Sequence, residues 1–468
     1  MTLQLHNTLT KQKDVFRPLH ENTVHMFVCG PTVYDFSHMG HAKTYVQFDL
    51  LARVIRANGF TTTYLQNITD IDDKIIDRAK ENGVSWEKLR DTYQAEYLTD
   101  MTALGNTSVS EYARATDHIA DIIAQVQTLI EKKHAYIIEG DGIYFEISTF
   151  KEYGKLSGRT EIKENDAQTR IDQSEQKRGW NDFALWKFSK ADEPSWSAPF
   201  GDGRPGWHIE DTAITEHFFG PQYDLHGGAI DLIFPHHEAE ITQMEAASGK
   251  VPFVGYWAHT GFLTINGEKM SKSLGNFFTI REVIQKGYDP MAIRMLMLQT
   301  HYRSSINFTF ENLDAASNRL RHWRNIAARR HQIHDRLRDD ATKNGTDTDF
   351  SPYAAKQALI EALSDDLNTP AAFRIIEEVF TQIEQTNREH LHRHALIEWL
   401  ETLDELLGLQ LLETTPDLSD ELKQRIIARQ RAREQKNWEE SDSLREAIEA
   451  HGITVLDTND GTVWEYRG

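Results

Sequence analysis

The stretch FVCGPTVYDFSHMGHAKTY, Phe27 to Tyr45, decides how the first domain is built. VHMFVCG (Val24 to Gly30), which overlaps its start, is a short apolar run with the character of a buried strand. HAKTYVQFDLLARVIRANG then sets Tyr45, Phe48, Leu51 and Ile55 on one helical stripe, with Gly59 as the stop. FTTTYLQNITD follows as a second strand, rich in threonine and aromatics. Strand, loop, helix and strand make one βαβ unit, so the pattern predicts an α/β domain with a parallel sheet and helices on its faces. The loop inside that unit carries the only cysteine of the chain, Cys29, and two histidines three apart, His38 and His41.

Working outward, 468 residues exceed what one hydrophobic core supports, and about three domains are expected. With 39% hydrophobic and 26% charged residues, the composition is that of a folded soluble chain. MTLQLHNTLTKQKDVF has no apolar run suited to a signal peptide, and no stretch approaches the roughly 20 apolar residues that cross a bilayer. A lone cysteine makes no internal disulfide, which fits a cytoplasmic protein without a membrane partner. The formal net charge of -21 argues against indiscriminate nucleic-acid binding, because phosphates repel an acidic surface. Basic residues are nevertheless segregated into NRLRHWRNIAARRHQIHDRLR (Asn318 to Arg338) and KQRIIARQRAREQK (Lys423 to Lys436), which are either solvated faces or contact surfaces.

The organisation expected along the chain is a catalytic domain first half at 1–110, a connective insertion at 111–190, a second half at 191–310, a helical bundle at 311–412 and a small α+β domain at 413–468. Within the insertion, IADIIAQVQTLIEKKHAYIIEGDGIYFEIS reads as a helix and then a hairpin, and the polar EIKENDAQTRIDQSEQKRGW as a loop. The chain ends in a hairpin around Asn459-Asp460-Gly461.

His38-Met39-Gly40-His41 opens a helix after a strand, where unpaired N–H groups and a partial positive charge suit a phosphate. Gly40 removes a side chain where a ligand comes close. GEKMSKSLGN (Gly267 to Asn276) sets Lys269 and Lys272 three apart in a glycine-flanked loop able to close over a polyphosphate. Alone, each pattern also fits ordinary histidines or a solvated turn. Together, in this order on this sheet pattern, they resemble the paired ATP-binding motifs of class I aminoacyl-tRNA synthetases, with methionine for the usual isoleucine in the first.

Cys29 ends the first strand, where α/β sheets bind ligands, although a lone cysteine is also a common small core residue. In FPHHEAE, His236 and Glu240 are four apart and share one face of a helix. Cysteine, histidine and carboxylate are all zinc ligands, and the absence of H-E-x-x-H points away from a zinc protease. CGPTVYDFSHMGH, NITDIDDKII, GRPGWHIE, DLHGGAIDLIFPHHEAEI, HTGFLTINGEKMSKSLGNFFTIR, DDLNTPAAF and the closing GTVW resemble the cysteinyl-tRNA synthetase family across nearly the whole chain. The resemblance implies a Rossmann-like catalytic domain, a helical bundle and an anticodon-binding domain. It also implies a zinc ion held by Cys29, His236, Glu240 and a fourth residue after GWHIE.

That fourth residue is usually cysteine; here it is Asp211. Aspartate keeps the negative charge and binds zinc through oxygen at about 2.0–2.2 Å, against about 2.3 Å for sulfur, which makes the site harder and opens the question of metal identity. The alternative is that Asp211 caps a helix over Thr212 and Thr215 and the metal is lost. A smaller departure is KRGWNDFALWK (Lys177 to Lys187), where the family usually has a proline near Trp180; a changed loop is expected.

The resemblance implies ATP-dependent activation of L-cysteine and transfer to the terminal ribose of tRNA-Cys, by a monomer using one zinc and the magnesium that accompanies ATP. His38, Gly40, His41, Lys269 and Lys272 would hold the nucleotide. Cys29, Thr69, Trp207 and His226 would line the cysteine pocket, with a structural core role an equal alternative for Trp207 and His226. The final domain, with Trp438 and Trp464, would read anticodon bases, although a core position is the more ordinary reading for each tryptophan. Two rival readings are a cysteine-activating ligase with an amino-sugar acceptor, and a synthetase-like binding protein without catalysis.

Overall fold

The computed structural model describes residues 2–159, 176–270, 275–332, 352–386, 391–458 and 461–467. Lys272, most of the stretch Glu161 to Trp180 expected as a polar loop, and Asn459 and Asp460 of the expected hairpin turn lie outside the described residues. The chain forms two units, Met1–Lys286 with Tyr302–Asn307, and Gly287–His301 with Phe308–Gly468.

In the first unit, β1 (Thr23–Val28) leads through the Cys29 loop into α1 (Met39–Ala57) and β2 (Thr61–Ile68). Then come β3 (Glu111–Arg114), α2 (Ile119–Glu131), α3 (Ile209–Phe219), β4 (Tyr223–Ala229), α4 (Glu238–Ser248) and β5 (Val254–Thr260). The strands form one sheet in the order β5-β4-β1-β2-β3, and every neighbouring pair is parallel. The direction of winding reverses between β1 and β4. A crevice therefore opens beyond their C-terminal ends, which is where such sheets take ligands. The predicted stripe on α1 is buried: Phe48, Leu51 and Ile55 are at most 1% exposed. The chain turns out of α1 through Gly59 at φ 90°.

Two details differ from the sequence pattern. β3 falls at the start of the stretch assigned to the insertion, yet it pairs with β2 over Leu65–Ile68 as the sheet's edge strand. Its four residues, EYAR, are too few to show a period. The hairpin Ala135–Ile138 and Gly142–Phe145 forms as expected, and Phe183–Phe188 and Gly203–Pro205 extend it to a four-stranded antiparallel sheet. After β5, Leu263–Ile265 and Glu268–Lys269 pair antiparallel, with Thr264 opposite Lys269.

The second unit is helical: Pro290–Leu298, Phe310–Ala328, Pro352–Ser364, Thr369–Gln385 and Arg393–Leu407 precede Asp420–Glu434 and Trp438–Glu449. A closing hairpin, Ile453–Thr458 with Gly461–Tyr466, packs Ile453, Val455 and Trp464 against Leu418, Ile426 and Ile448. Among the described residues no helix is long and apolar enough to cross a membrane.

Candidate active site

Cys29 follows β1 directly. Gly30 after it lies so close to β2 that a Cβ would stand 1.7 Å from the Asn67 carbonyl oxygen, and its N–H donates to Asn67 Oδ1 at 2.6 Å. Only glycine lets the chain turn here with the thiol facing the crevice. Asp211 enters from the first turn of α3, where a carboxylate is favoured by the helix dipole. His236 comes from the irregular turn Ile233–His237 that leads into α4, and Glu240, four residues on, from the first turn of α4.

These four meet. Cys29 Sγ lies 3.3 Å from Asp211 Oδ2 and 3.9 Å from Glu240 Oε1, and His236 Nε2 lies 3.0 Å from each carboxylate. One donor atom from each falls within 4.8 Å of all the others. Asp211 does not cap its helix: Oδ1 accepts from Asn67 Nδ2 at 2.6 Å, which leaves Oδ2 turned to Cys29 and His236. Thr215 instead donates to the Asp211 main-chain carbonyl. The capping alternative is therefore set aside.

Charge explains what such a cluster needs. Asp211 and Glu240 are at most 1% exposed, and among the described residues no lysine or arginine pairs with either. Burial pushes the Glu240 carboxyl well up, and the neighbouring Asp211 and Glu210 push it further. Burial likewise raises the Cys29 thiol, with Glu240 and Asp211 adding to the effect. Glu240 Oε2 is buried and makes no hydrogen bond. Uncompensated buried anions are costly, and a divalent cation among one sulfur, one imidazole and two carboxylates removes that cost. The residues present fit zinc.

Several members of the site were not anticipated. His237 Nε2 stands 3.1 Å from Cys29 Sγ and its Nδ1 2.8 Å from His259 Nε2. With His226, whose Nε2 is 3.4 Å from the same sulfur, it makes a second donor set sharing Cys29 and Glu240. Burial first, then neighbouring imidazoles, holds His226, His237 and His208 well below the ordinary histidine range, and burial takes His259 to about 3. The only hint in the sequence was the doublet PHH. His208 meets His236 Nδ1 to Nδ1 at 2.7 Å, which leaves Nε2 of His236 to face the cluster. Of the residues expected in the pocket, Trp207 stacks on the His236 ring at 4.2 Å and 14°. His226 stacks on Trp257 and hydrogen-bonds Tyr223, and Thr69 donates to Glu210.

From Cys29 a cavity of about 320 Å³ runs to His38, Gly40, His41 and Lys269, so both expected motifs share one space. The helix N-terminus works differently from the sequence expectation. His38 Nδ1 accepts from the N–H groups of Gly40 and His41, and His41 Nδ1 accepts from His38 N–H. Met39 N–H donates to the Phe278 carbonyl. The first N–H groups are thus already paired, and the ring protons sit on the Nε2 atoms, which become the donors for an anion. The two rings stack at 3.8 Å and 13°. A Cβ on Gly40 would stand 2.9 Å from the His38 ring. Lys43, buried in the same wall, donates to the Tyr302 carbonyl at 3.0 Å, and burial lowers it to about 8.

Comparison with known proteins now adds to this geometry. Residues 15–318 match the model of the class I (C) tRNA synthetase catalytic domain, 358–412 the DALR domain, and 415–464 the cysteinyl-tRNA ligase anticodon binding domain. Cysteine–tRNA ligases of Thermococcus onnurineus and Methylococcus capsulatus are 42% and 43% identical, over 99% of this chain and 99% of theirs. The chain belongs to the cysteinyl-tRNA synthetase family. Its fold is also that of a methionyl-tRNA synthetase from Mycobacterium tuberculosis in complex with methionyl-adenylate, with a TM-score of 0.61 at 15% identity over 84% of this chain and 93% of the other. The class I synthetase fold and the activity of an aminoacyl-tRNA ligase follow, which removes the binding-protein and amino-sugar readings.

In the second unit of this synthetase the two tryptophans separate. Trp464 is 1% exposed in the core and does not read a base, whereas Trp438 is 56% exposed with the Arg433 guanidinium 5.7 Å from its ring centre. Among the described residues, several arginines of the two basic stretches have internal partners. Arg324 pairs with Asp289, Arg330 caps carbonyls of Ala327, Leu412 and Thr415, and Arg429 forks onto Asp457 at 2.9 and 2.8 Å. These three brace the fold.

Proposed function

We propose that this cysteine–tRNA ligase holds zinc through Cys29, Asp211, His236 and Glu240 and activates L-cysteine with MgATP in the adjoining cavity. The aminoacyl group then passes to the 3'-terminal ribose of tRNA-Cys. The convergence of one sulfur, one imidazole and two buried carboxylates at the head of a cavity lined by His38, His41 and Lys269 supports this reading best. Zinc bound there supplies a soft Lewis acid that favours the thiolate of cysteine over the hydroxyl of serine. Pocket size alone would discriminate by only about 1–3 kcal/mol.

The chain's own residues do the rest. Asn67 and His208 orient Asp211 and His236. Thr69, Trp207 and His226 border the amino acid. As the cysteine carboxylate attacks the α-phosphorus and the bond to pyrophosphate breaks, the Nε2–H groups of His38 and His41 donate to phosphate oxygens. Lys269 and Lys272 neutralise the departing pyrophosphate. A ribose hydroxyl then attacks the activated carbonyl and AMP leaves. Residues 311–412 carry the tRNA to the anticodon module at 413–468, where Trp438 stacks on a base. The enzyme acts as a cytoplasmic monomer.

The test is charging of tRNA-Cys with labelled cysteine and serine, and cysteine-dependent exchange of pyrophosphate into ATP, on zinc-loaded and chelated protein. Loss of cysteine selectivity with the metal is expected. Full charging and full selectivity after complete metal removal would overturn the reading.

A further inference from the structure

We propose a second divalent-metal site, of the zinc class, formed by His118, Asp121 and His217 away from the catalytic cavity. His118 precedes α2, Asp121 lies in the first turn of α2, and His217 lies in the last turn of α3. His118 Nδ1 and His217 Nδ1 stand 3.0 and 3.2 Å from the same oxygen, Asp121 Oδ2. One donor atom from each of the three residues falls within 4.8 Å of the other two. Ligands about 2.1 Å from a tetrahedral zinc are about 3.4 Å apart, so little movement separates this set from coordination. Two imidazoles and a carboxylate suit zinc and its late first-row neighbours better than magnesium or calcium.

The rings are held in place before any ion arrives. Those of His118 and His217 meet at 4.8 Å and 69°, and Phe218 packs against both. Asp121 and His217 border a cavity of about 390 Å³, so the set opens onto a space able to admit an ion. An ion here ties α2 to α3, the helix whose first turn carries Asp211. The site thus stiffens the support of the catalytic cluster without touching substrate.

The experiment uses the full chain with its first zinc in place. Zn2+ and Co2+ are titrated, bound metal is counted, and thermal melting is followed. Wild type should bind a second equivalent and melt higher as it does so. His217→Ala should bind that equivalent at least roughly 10–100-fold more weakly, the range lost when even an outer partner of a ligand is removed, and should lose the melting shift. Asp121→Asn should do the same, and Cys29→Ser should keep the second site. A wild type that stops at one equivalent, or His217→Ala and Asp121→Asn proteins that bind and melt as wild type does, would overturn the proposal.

Discussion

Replacing Asn67 with alanine should loosen zinc about 10–100-fold without touching a ligand. The side chain is 1% exposed and serves three partners. Oδ1 accepts from Gly30 N–H at 2.6 Å, while Nδ2 donates to Asp211 Oδ1 at 2.6 Å and to Thr69 Oγ1 at 3.3 Å. It therefore ties the residue beside Cys29 to the carboxylate of Asp211. A neutral bond such as that to Gly30 contributes about 1 kcal/mol and one to a carboxylate about 1.5–3 kcal/mol. The second figure is the share that holds Asp211 Oδ2 toward the metal. At about 1.4 kcal/mol per factor of ten it corresponds to roughly 10–150-fold in affinity, in line with the loss seen when a ligand's hydrogen-bond partner is removed. The metal-free protein should also lose about 2 kcal/mol of stability, because the two neutral bonds, to Gly30 N–H and Thr69 Oγ1, go as well. Zinc affinity would be measured by competition with a chromophoric chelator, and stability by urea unfolding of the metal-free protein. Asn67→Asp should lose more, since it faces Asp211 with a like charge. A folded Asn67→Ala protein with wild-type zinc affinity would refute the reasoning.

Asp211→Cys should tighten zinc and widen the gap between cysteine and serine in pyrophosphate exchange, because a thiolate is the softer ligand; unchanged affinity and selectivity would remove Asp211 from the site. Trp438→Ala should raise the KM for tRNA by roughly 5–150-fold, the worth of about 1–3 kcal/mol of base stacking, and leave pyrophosphate exchange intact. Trp464→Ala should instead destabilise the protein by about 3–5 kcal/mol, measured by urea unfolding, since that ring fills a core. Lys43 falls from 10.5 to about 8 on folding, so between those values the unfolded chain holds the extra proton. Stability of the metal-free wild type, relative to Lys43→Met, should therefore rise as pH climbs through that window, and a flat difference in urea unfolding would show that the ammonium is not penalised.

The sequence pattern was legible where local spacing carries the information. The βαβ unit around Cys29 shows in apolar periodicity, and His236 with Glu240 shows in a one-turn spacing. Long-range pairing hid the rest. His259 joins the site only because β5 lies beside β4, with Gly228 opposite His259. Asn67 joins only because β2 runs parallel to β1 and brings it beside Gly30. Trp438 and Trp464 look alike as letters, and only packing makes one a surface ring and the other a core ring. The basic helices could be read either as solvated faces or as contact surfaces, because acidic partners such as Asp289 and Asp457 are distant in sequence.

X-ray absorption at the zinc edge, on the enzyme with and without L-cysteine, tests the metal reading most directly. Coordination by Cys29, Asp211, His236 and Glu240 gives one sulfur at about 2.3 Å and nitrogen or oxygen at about 2.0–2.2 Å, and substrate should bring a second sulfur. A metal shell without sulfur, or one whose sulfur count ignores cysteine while activation proceeds, would contradict it.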